Sequence, residues 1–259
     1  SLLMSVLIVI PARYASTRYP GKPLVELTGA KGDKRTLIER SWRAACAVQG
    51  VDRVVVATDD DRIADVVRSF GGEVIMTSTK HQSGTDRCAE APAYAQKYLG
   101  WTIDVVVNIQ GDEPFMHPSQ LEQIGTCFEN PETQIATLVK VIESESELFD
   151  VNKPKVVLDT HGKAIYFSRN PIPYFRGKER SKWATAHRYF KHIGIYAYRI
   201  EVLNAITKME QSTLEIAESL EQLRWLQSGY SIQTAITEIE NLSVDTPQDL
   251  AAILANGIL

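Results

Sequence analysis

The sequence predicts an α/β fold: a Rossmann-like, mostly parallel sheet flanked by helices, with a small antiparallel lobe. Three observations predict it. Through the first half of the chain, short runs rich in β-branched residues alternate with segments of helical spacing. Those runs are almost continuously apolar, as strands covered on both faces are, rather than alternating apolar and polar. Beyond Val141 the pattern gives way to shorter strands of mixed character, which suit an antiparallel annex.

Taken in order, the strands fall at residues 5–10, 51–57, 73–76, 103–109 and 134–139, with helices at 36–48, 60–70, 85–98 and 118–128. The second helix is well specified. Thr58, Asp59, Asp60 and Asp61 supply a cap and acids for its first turn, and Gly71 with Gly72 ends it. Further strands are expected at 155–159, 164–168 and 189–198. Residues 170–188, NPIPYFRGKERSKWATAHR, mix prolines, cations and aromatics without a period, and read as a mobile excursion or an interface loop. A helix over 214–227 carries Leu214, Ala217, Leu220 and Leu223 at helical spacing and stops at Gly229. A strand at 232–236 and a helix opened by Thr246 and Pro247 close the chain. With no repeat, low-complexity tract or linker, residues 1–259 read as a single domain with an embedded lobe at about 154–199.

Composition narrows the function classes. The 259 residues hold 28 Lys and Arg against 32 Asp and Glu, a net charge of −4, so nothing global invites nucleic acid. Positive charge used for a ligand must be local. Cys46, Cys88 and Cys127 have neither CxxC nor Cys/His ligand spacing and read as free thiols of a reducing cytoplasm. The apolar run 2–10 is too short to span a bilayer and lacks a basic leader, so a strand is expected there rather than a signal peptide or membrane anchor. The three residues ahead of Met4 read as an addition to the natural start.

The loop after the first strand, PARYASTRYPGKP at 11–23, carries the most chemistry. In an open α/β sheet, ligands bind beyond the C-terminal ends of the strands. Arg13, Arg18 and Lys22 place three cations there, Ser16 and Thr17 add hydroxyl and backbone donors, and Pro11, Pro20 and Pro23 lower the cost of ordering the loop. A phosphate chain needs that combination; a solvated basic turn is the plainer alternative. Neither GxxxxGK[ST] nor GxGxxG follows any strand, which removes the main support for a P-loop ATPase or a dinucleotide oxidoreductase.

Residues 9–24, VIPARYASTRYPGKPL, resemble the signature loop of sugar-activating nucleotidyltransferases, and within them the 3-deoxy-manno-octulosonate (Kdo) cytidylyltransferase family. Matching blocks follow in order over nearly the whole chain: HQSGTDR (81–87), VVNIQGDEP (106–114), YFSR (166–169), KHIGIYAYR (191–199), SLEQLRWL (219–226) and VDTPQDL (244–250). One departure is local, the stretch LTGAKGDKR at 27–35, which is longer and more basic than the family's turn. The resemblance implies a nucleotide-diphospho-sugar transferase type of fold and a cytoplasmic homodimer. It implies CTP and Kdo as small-molecule substrates, with no nucleic-acid partner and no membrane insertion. The reaction the resemblance implies is attack of the anomeric hydroxyl of Kdo on the α-phosphorus of CTP, giving CMP-Kdo and pyrophosphate for lipopolysaccharide assembly. Residues 170–188 and the 189–198 strand are the candidates for the dimer contact.

The same resemblance sorts the site residues. From spacing alone, Asp112 and Asp245 are as well explained as a turn residue and a helix-start acid as they are as ligands. The family implies that they meet at one sheet edge and hold Mg²⁺, with Arg13, Lys22 and Asp112 as the catalytic set and Arg18 as a further phosphate contact. The block at 81–87, with Ser83 or Thr85 as a helix cap, becomes the cytosine-reading segment: Gln82, Ser83, Gly84 and Arg87, beside the backbone of Ala12, while Ser16 stays with the phosphates. Gln110, Arg169, His192, Tyr196, Tyr198, Glu221 and Gln222 become candidates for the sugar acid, Arg169 facing its carboxylate. His81, His117, His161 and His187 receive no role. No side chain stands out as a general base, and a metal-polarised hydroxyl would lessen the need for one. Two alternatives stay open: a cytidylyltransferase for another 2-keto sugar acid, sialic acid or 8-amino-Kdo, and a non-catalytic nucleotide-sugar binding protein. A glycosyltransferase would bring an Asp-x-Asp motif, and residues 59–61 satisfy that spacing but read better as a helix cap.

Overall fold

A computed structural model describes residues 4–110 and 113–257. They group into two compact units, one formed by the chain up to Glu122 and from Asn241 onward, the other by Gln123–Glu240.

In the first unit the apolar run becomes β1 (Val6–Ala12), buried from Leu7 onward and reaching two residues past its expected end. A short 3₁₀ turn (Lys22–Leu24) leads into β2 (Glu26–Thr28) and β3 (Lys34–Thr36). These two strands pair antiparallel, so the basic stretch 27–35 is a small hairpin, closed by a Lys34–Glu26 ion pair at 2.8 Å. Then follow α1 (Leu37–Cys46), β4 (Arg53–Thr58), α2 (Asp61–Ser69), β5 (Val74–Met76), α3 (Gly84–Tyr94), β6 (Val105–Asn108) and α4 (Pro118–Thr126). The strands align β6–β1–β4–β5, all parallel, with Ile8 opposite both Val54 and Val107. Val55, Val56 and Val106 are fully covered, each such side chain contributing about 1.5–3 kcal/mol over an exposed one. Helix α2 begins as its acids require: the Asp60 carboxylate accepts the N–H groups of Arg62 and Ile63, so residues 59–61 are a cap. The helix expected over 85–98 changes winding after Tyr94 and finishes as a π turn, Ala95–Leu99.

The second unit contains β7 (Ile135–Val141), α5 (Glu145–Leu148), β8 (Lys155–Leu158), β9 (Ala164–Ser168), α6 (Trp183–Ala186), β10 (Phe190–Arg199), α7 (Ile200–Ile206), α8 (Thr213–Glu218), α9 (Gln222–Gln227) and β11 (Ile232–Ile236). β7 pairs with β11 in parallel and with β10 antiparallel, and β8 pairs antiparallel with β10 and β9, the antiparallel annex the sequence suggested.

Two expectations are corrected in this unit. The 170–188 segment is no unanchored loop. The Trp183 and Tyr189 rings stack at 6.4 Å and are buried with Ile142 and Leu148. Trp183 Nε1 donates to the Lys178 carbonyl at 3.0 Å, and the Tyr189 hydroxyl donates to the Pro173 carbonyl at 2.8 Å. The helix over 214–227 is in fact two helices, α8 and α9, broken where Ser219 takes a left-handed conformation with φ 53°. Leu214 and Ala217 are exposed. The buried residue of α8 is Glu215, whose carboxylate receives the Arg224 guanidinium at 2.6 and 2.7 Å. The Glu215–Arg224 ion pair joins the two helices, and of the expected stripe Leu220 and Leu223 are buried while Leu214 and Ala217 are not.

The chain ends in α10 (Pro247–Ala255), part of the first unit, where Leu250 and Ile253 pack with Leu27, Leu37 and Val244.

Candidate functional site

A cavity of about 370 Å³ lies in the first unit, lined by Ala12, Arg13, Ser16, Arg18, Lys22, Gln82, Ser83, Gly84, Arg87, Gln110 and Asp245. Several segments meet there: the loop after β1, the start of α3, the residues after β6 and the approach to α10. Parallel strands make such a convergence natural, since every β–α connection leaves from the same edge of the sheet.

The loop owes its shape to a few backbone contacts. Gly21 N–H donates to the Tyr14 carbonyl at 2.9 Å, turning the chain back on itself. Gly21 has φ 69°, and a Cβ there would stand 3.0 Å from the Tyr14 ring, so glycine is required twice over. The Tyr14 ring is covered in turn by the Arg62 guanidinium at 3.4 Å. The Ser16 hydroxyl accepts the Tyr19 N–H at 3.4 Å. On this frame Arg13 and Arg18 are exposed, and among the described residues neither guanidinium makes a hydrogen bond or ion pair. Lys22 reaches across the unit and donates to the Val244 carbonyl at 2.7 Å. Asp245 follows immediately. Its carboxylate, half-buried at the cavity, has no hydrogen-bond partner among the described residues. Asp112, the other expected metal ligand, lies outside the described residues.

Around the start of α3, Ser83 is the N-cap, its hydroxyl accepting the Asp86 N–H at 3.1 Å. Gly84 faces Gln110 and Pro11 closely enough that a Cβ would sit 3.5 and 3.7 Å from them. Arg87 is buried, and its guanidinium is already held by Thr77 Oγ1 at 2.5 Å, the Ser78 carbonyl at 3.2 Å and the Asp59 carboxylate at 3.1 Å. It braces the wall of the cavity from behind. His81 also lines the cavity and pairs with Glu90, which in turn accepts the Ser78 N–H at 3.0 Å. Those bonds from His81 and Ser78, with the nearby positive charge, outweigh burial and hold the Glu90 carboxyl below its usual range. Neither His81 nor Asp59 is legible in the sequence as part of a site, because a lone histidine and one acid of a capping run give no local signal of a partner found only in the fold.

The remaining sugar-acid candidates belong to the second unit. Tyr196 and Tyr198 stack at 5.9 Å, and the Trp225 ring meets both edge-on at 5.1 and 5.5 Å. His192 lies 5.2 Å from the Tyr196 ring and 5.1 Å from Phe167, with its Nε2 2.9 Å from the Thr137 hydroxyl. Burial pushes the imidazole down to about 3. Burial, with the charge of Glu221 nearby, pushes the Tyr196 phenol well up, and its hydroxyl has no hydrogen-bond partner among the described residues. Gln222 is buried and Glu221 partly so. Arg169 holds the turn between α8 and α9: it donates to the carbonyls of Glu218 at 2.7 Å, Ser219 at 3.1 Å and Val151 at 3.0 Å, and its own N–H bonds the Glu218 carboxylate at 3.1 Å. Trp225, which joins this aromatic group, was not singled out in the sequence.

The chain matches the model of the cytidylyltransferase family over residues 7–236. It is 52% identical to a 3-deoxy-manno-octulosonate cytidylyltransferase of Parabacteroides distasonis, the match covering 98% of each chain. It is also 52% identical to the protein of that name from Bacteroides thetaiotaomicron, over 95% of this chain and 96% of the other. Among solved structures, CMP:2-keto-3-deoxy-manno-octonic acid synthetase complexed with CTP is similar with a TM-score of 0.86 at 40% identity, covering 98% of this chain and 100% of that one.

Proposed function

The chain belongs to the 3-deoxy-manno-octulosonate cytidylyltransferase family, and from that premise we propose that it transfers CMP from CTP to the anomeric hydroxyl of Kdo. The hydroxyl oxygen bonds to the α-phosphorus, the bridge to the β-phosphate breaks, pyrophosphate leaves and the hydroxyl proton is released. The product is CMP-Kdo, for lipopolysaccharide assembly.

One observation carries the reading: Arg13 and Arg18 face the cavity without a hydrogen bond or ion pair among the described residues, next to Lys22 and the capped start of α3. A triphosphate is the ligand such a set accommodates, because its charge is spread over many oxygens. The three cations orient and neutralise the chain of phosphates, while the α3 N-terminus flanks the nucleoside end and Gln110 is assigned to the sugar acid. In the second unit, His192, Tyr196, Tyr198, Glu221 and Gln222 are the residues assigned to the sugar acid. Arg169 is assigned to the same sugar acid, with three of its donors already on backbone carbonyls.

Magnesium fits the donors present. Asp245 offers a hard oxygen ligand not occupied by any described neighbour. No cluster of three potential ligands occurs among the described residues, and a site of one or two carboxylates completed by substrate phosphates does not require one. Asp245 and Asp112 would hold the ion, which when bound supplies charge neutralisation at the phosphate oxygens.

Pyrophosphate release, measured with each of the four nucleoside triphosphates, with Kdo or sialic acid, and with or without EDTA, tests this. Activity with CTP and Kdo, abolished by EDTA, is expected. Equal activity with UTP would overturn the base assignment, a preference for sialic acid the sugar, and indifference to EDTA the metal. A homodimer in the cytoplasm completes the proposal, its contact drawn from 170–188 and β10, and sedimentation at micromolar concentration tests the stoichiometry. Among the described residues no helix is long and apolar enough to cross a membrane.

A further inference from the structure

The peptide unit between Val244 and Asp245 is gripped at both of its polar atoms. On one side Lys22 Nζ donates to the Val244 carbonyl at 2.7 Å. On the other, the Asp245 N–H donates to Asp249 Oδ2 at 2.9 Å. The same oxygen takes the Thr246 N–H at 2.9 Å, and Thr246 Oγ1 accepts the Asp249 N–H at 3.1 Å. The last two bonds are an ordinary capping box, which serves the first turn of α10 and nothing else. The bond to Asp245 goes beyond it, because a helix start has no need to tie down the residue before its cap. Val244 itself is fully buried among Leu27, Leu37, Leu250 and Ile253, so this peptide cannot shift as a body. With its backbone fixed in this way, the Asp245 carboxylate is left only its side-chain torsions.

We propose that Asp249 is a positioning residue for the triphosphate site: through one carboxylate oxygen it holds the peptide that carries Asp245, and so sets where that carboxylate stands at the cavity. The proposal rests on the reading that Asp245 meets the metal–nucleotide complex. Groups that orient a ligand residue are felt strongly in metal binding, because a carboxylate free to wander gives up part of its affinity each time it must be ordered. The two bonds require only an oxygen at this place; the Asp249 charge, which also faces Arg18, is separated from that geometry by the amide variant. An asparagine amide oxygen placed where Oδ2 stands accepts the same two N–H groups, whereas alanine accepts neither.

Asp249→Ala, Asp249→Asn and Asp245→Asn are compared with the unmodified chain at a temperature well below every melting midpoint. Two readouts are taken: Mn²⁺ binding in the presence of CTP, followed by electron paramagnetic resonance, and the Mg²⁺ concentration giving half-maximal pyrophosphate release. Asp249→Ala is expected to weaken both by about tenfold or more, and Asp249→Asn to recover most of that loss. Asp249→Ser, too short to reach the Asp245 N–H, replaces the alanine variant should that chain not fold, with the same expectation. A lowered melting midpoint with unchanged Mn²⁺ affinity would make Asp249 a helix cap and nothing more. Equal losses in the alanine and asparagine variants would assign the effect to charge and sink the geometric argument. Unchanged Mn²⁺ binding in Asp245→Asn would instead remove the underlying reading of Asp245, whatever the Asp249 variants do.

Discussion

In the first unit, Arg13 and Arg18 stand on an exposed loop and, among the described residues, make no hydrogen bond or ion pair. In the second, several cations are committed, although others, such as Arg176 and Lys178, also stand exposed. Lys191 is buried between Glu147 and Glu240, Arg224 forks onto Glu215, and the Arg169 and Arg199 guanidiniums are occupied by backbone carbonyls. The same contrast runs inside the first unit, where Arg87 is braced by Asp59 and Thr77 while Arg13 is not. A guanidinium in water costs little to leave unpaired, and a buried one costs a great deal. Partnered cations therefore report on architecture. Cations kept in solvent, on a loop shaped by Gly21 and Tyr14, are free to meet an anion that arrives from outside.

The comparison breaks most sharply at Arg13. Replacing it with alanine should lower kcat/KM for CTP by roughly a hundredfold to a thousandfold, the usual consequence of losing one oriented donor to a developing phosphate charge. The melting midpoint should hardly move, since an exposed unpaired side chain contributes at most about 0.5 kcal/mol. A fall in stability with intact CTP kinetics would place Arg13 with the architectural cations. Glu215→Ala tests the other side. It strands the partly buried Arg224 guanidinium and should cost about 2–3 kcal/mol. That loss is read as a drop of several degrees in thermal melting, while CTP affinity, measured by calorimetry, stays unchanged. Weakened CTP binding at unchanged stability would erase the distinction between the units.

How far the sequence was legible follows the same division. The strands β1, β4 and β6 were readable because burial on both faces leaves an unbroken apolar run, and α2 because Asp60 announces its own cap. The loop at 11–23 was readable because its prolines, hydroxyls and cations are contiguous. What escaped the reading depends on contacts far apart in the chain. Nothing local distinguishes Ser219 from any helical serine; the break follows from Glu215 turning inward to Arg224, nine residues on. The 170–188 segment looked free because its anchors, Trp183 and Tyr189, become anchors only when stacked against Ile142 and Leu148. His81 entered the cavity wall unannounced for the same reason, its partner Glu90 standing a helix turn or more away on α3.

A smaller effect separates the units by pH. His192 is held neutral in the fold, its imidazole pushed down to about 3 by burial, whereas an unfolded chain would bind a proton near pH 6.5. Unfolding therefore takes up a proton at any pH between those values. Stability from this source is complete above about pH 6.5 and is lost progressively as pH falls toward 3, with a slope of at most about 1.4 kcal/mol per pH unit. Glu147 and Glu215, whose carboxyls are held low by Lys191 and Arg224 against the opposing pull of burial, lose their contribution only at more acid pH. Across the window from pH 6.5 to 5, the difference between the unmodified chain and a variant lacking the imidazole therefore reports His192. Melting curves of the unmodified chain should decline across it and those of His192→Gln should be flatter; parallel curves would mean that the imidazole is not kept neutral by the fold.

The smallest change tests whether the turn between α8 and α9 stores strain. Ser219 sits at φ 53° and ψ 47°, a conformation that costs an L-residue about 1–2 kcal/mol. Glycine removes that cost but adds chain entropy to the unfolded state, about 0.4–1 kcal/mol in the opposite direction. The contacts that hold the turn would survive the exchange, because Arg169 donates to the backbone carbonyls of Glu218 and Ser219, not to a side chain. Ser219→Gly should therefore stabilise the chain by about 0.5 kcal/mol, a rise of a degree or two at the melting midpoint. CTP binding should be untouched, since no residue of this turn lines the cavity of the first unit. A lower midpoint would mean that the serine hydroxyl contributes more than the backbone geometry costs, and the break in this helix would then be an effect of side-chain bonding and not of a backbone held open by Arg169.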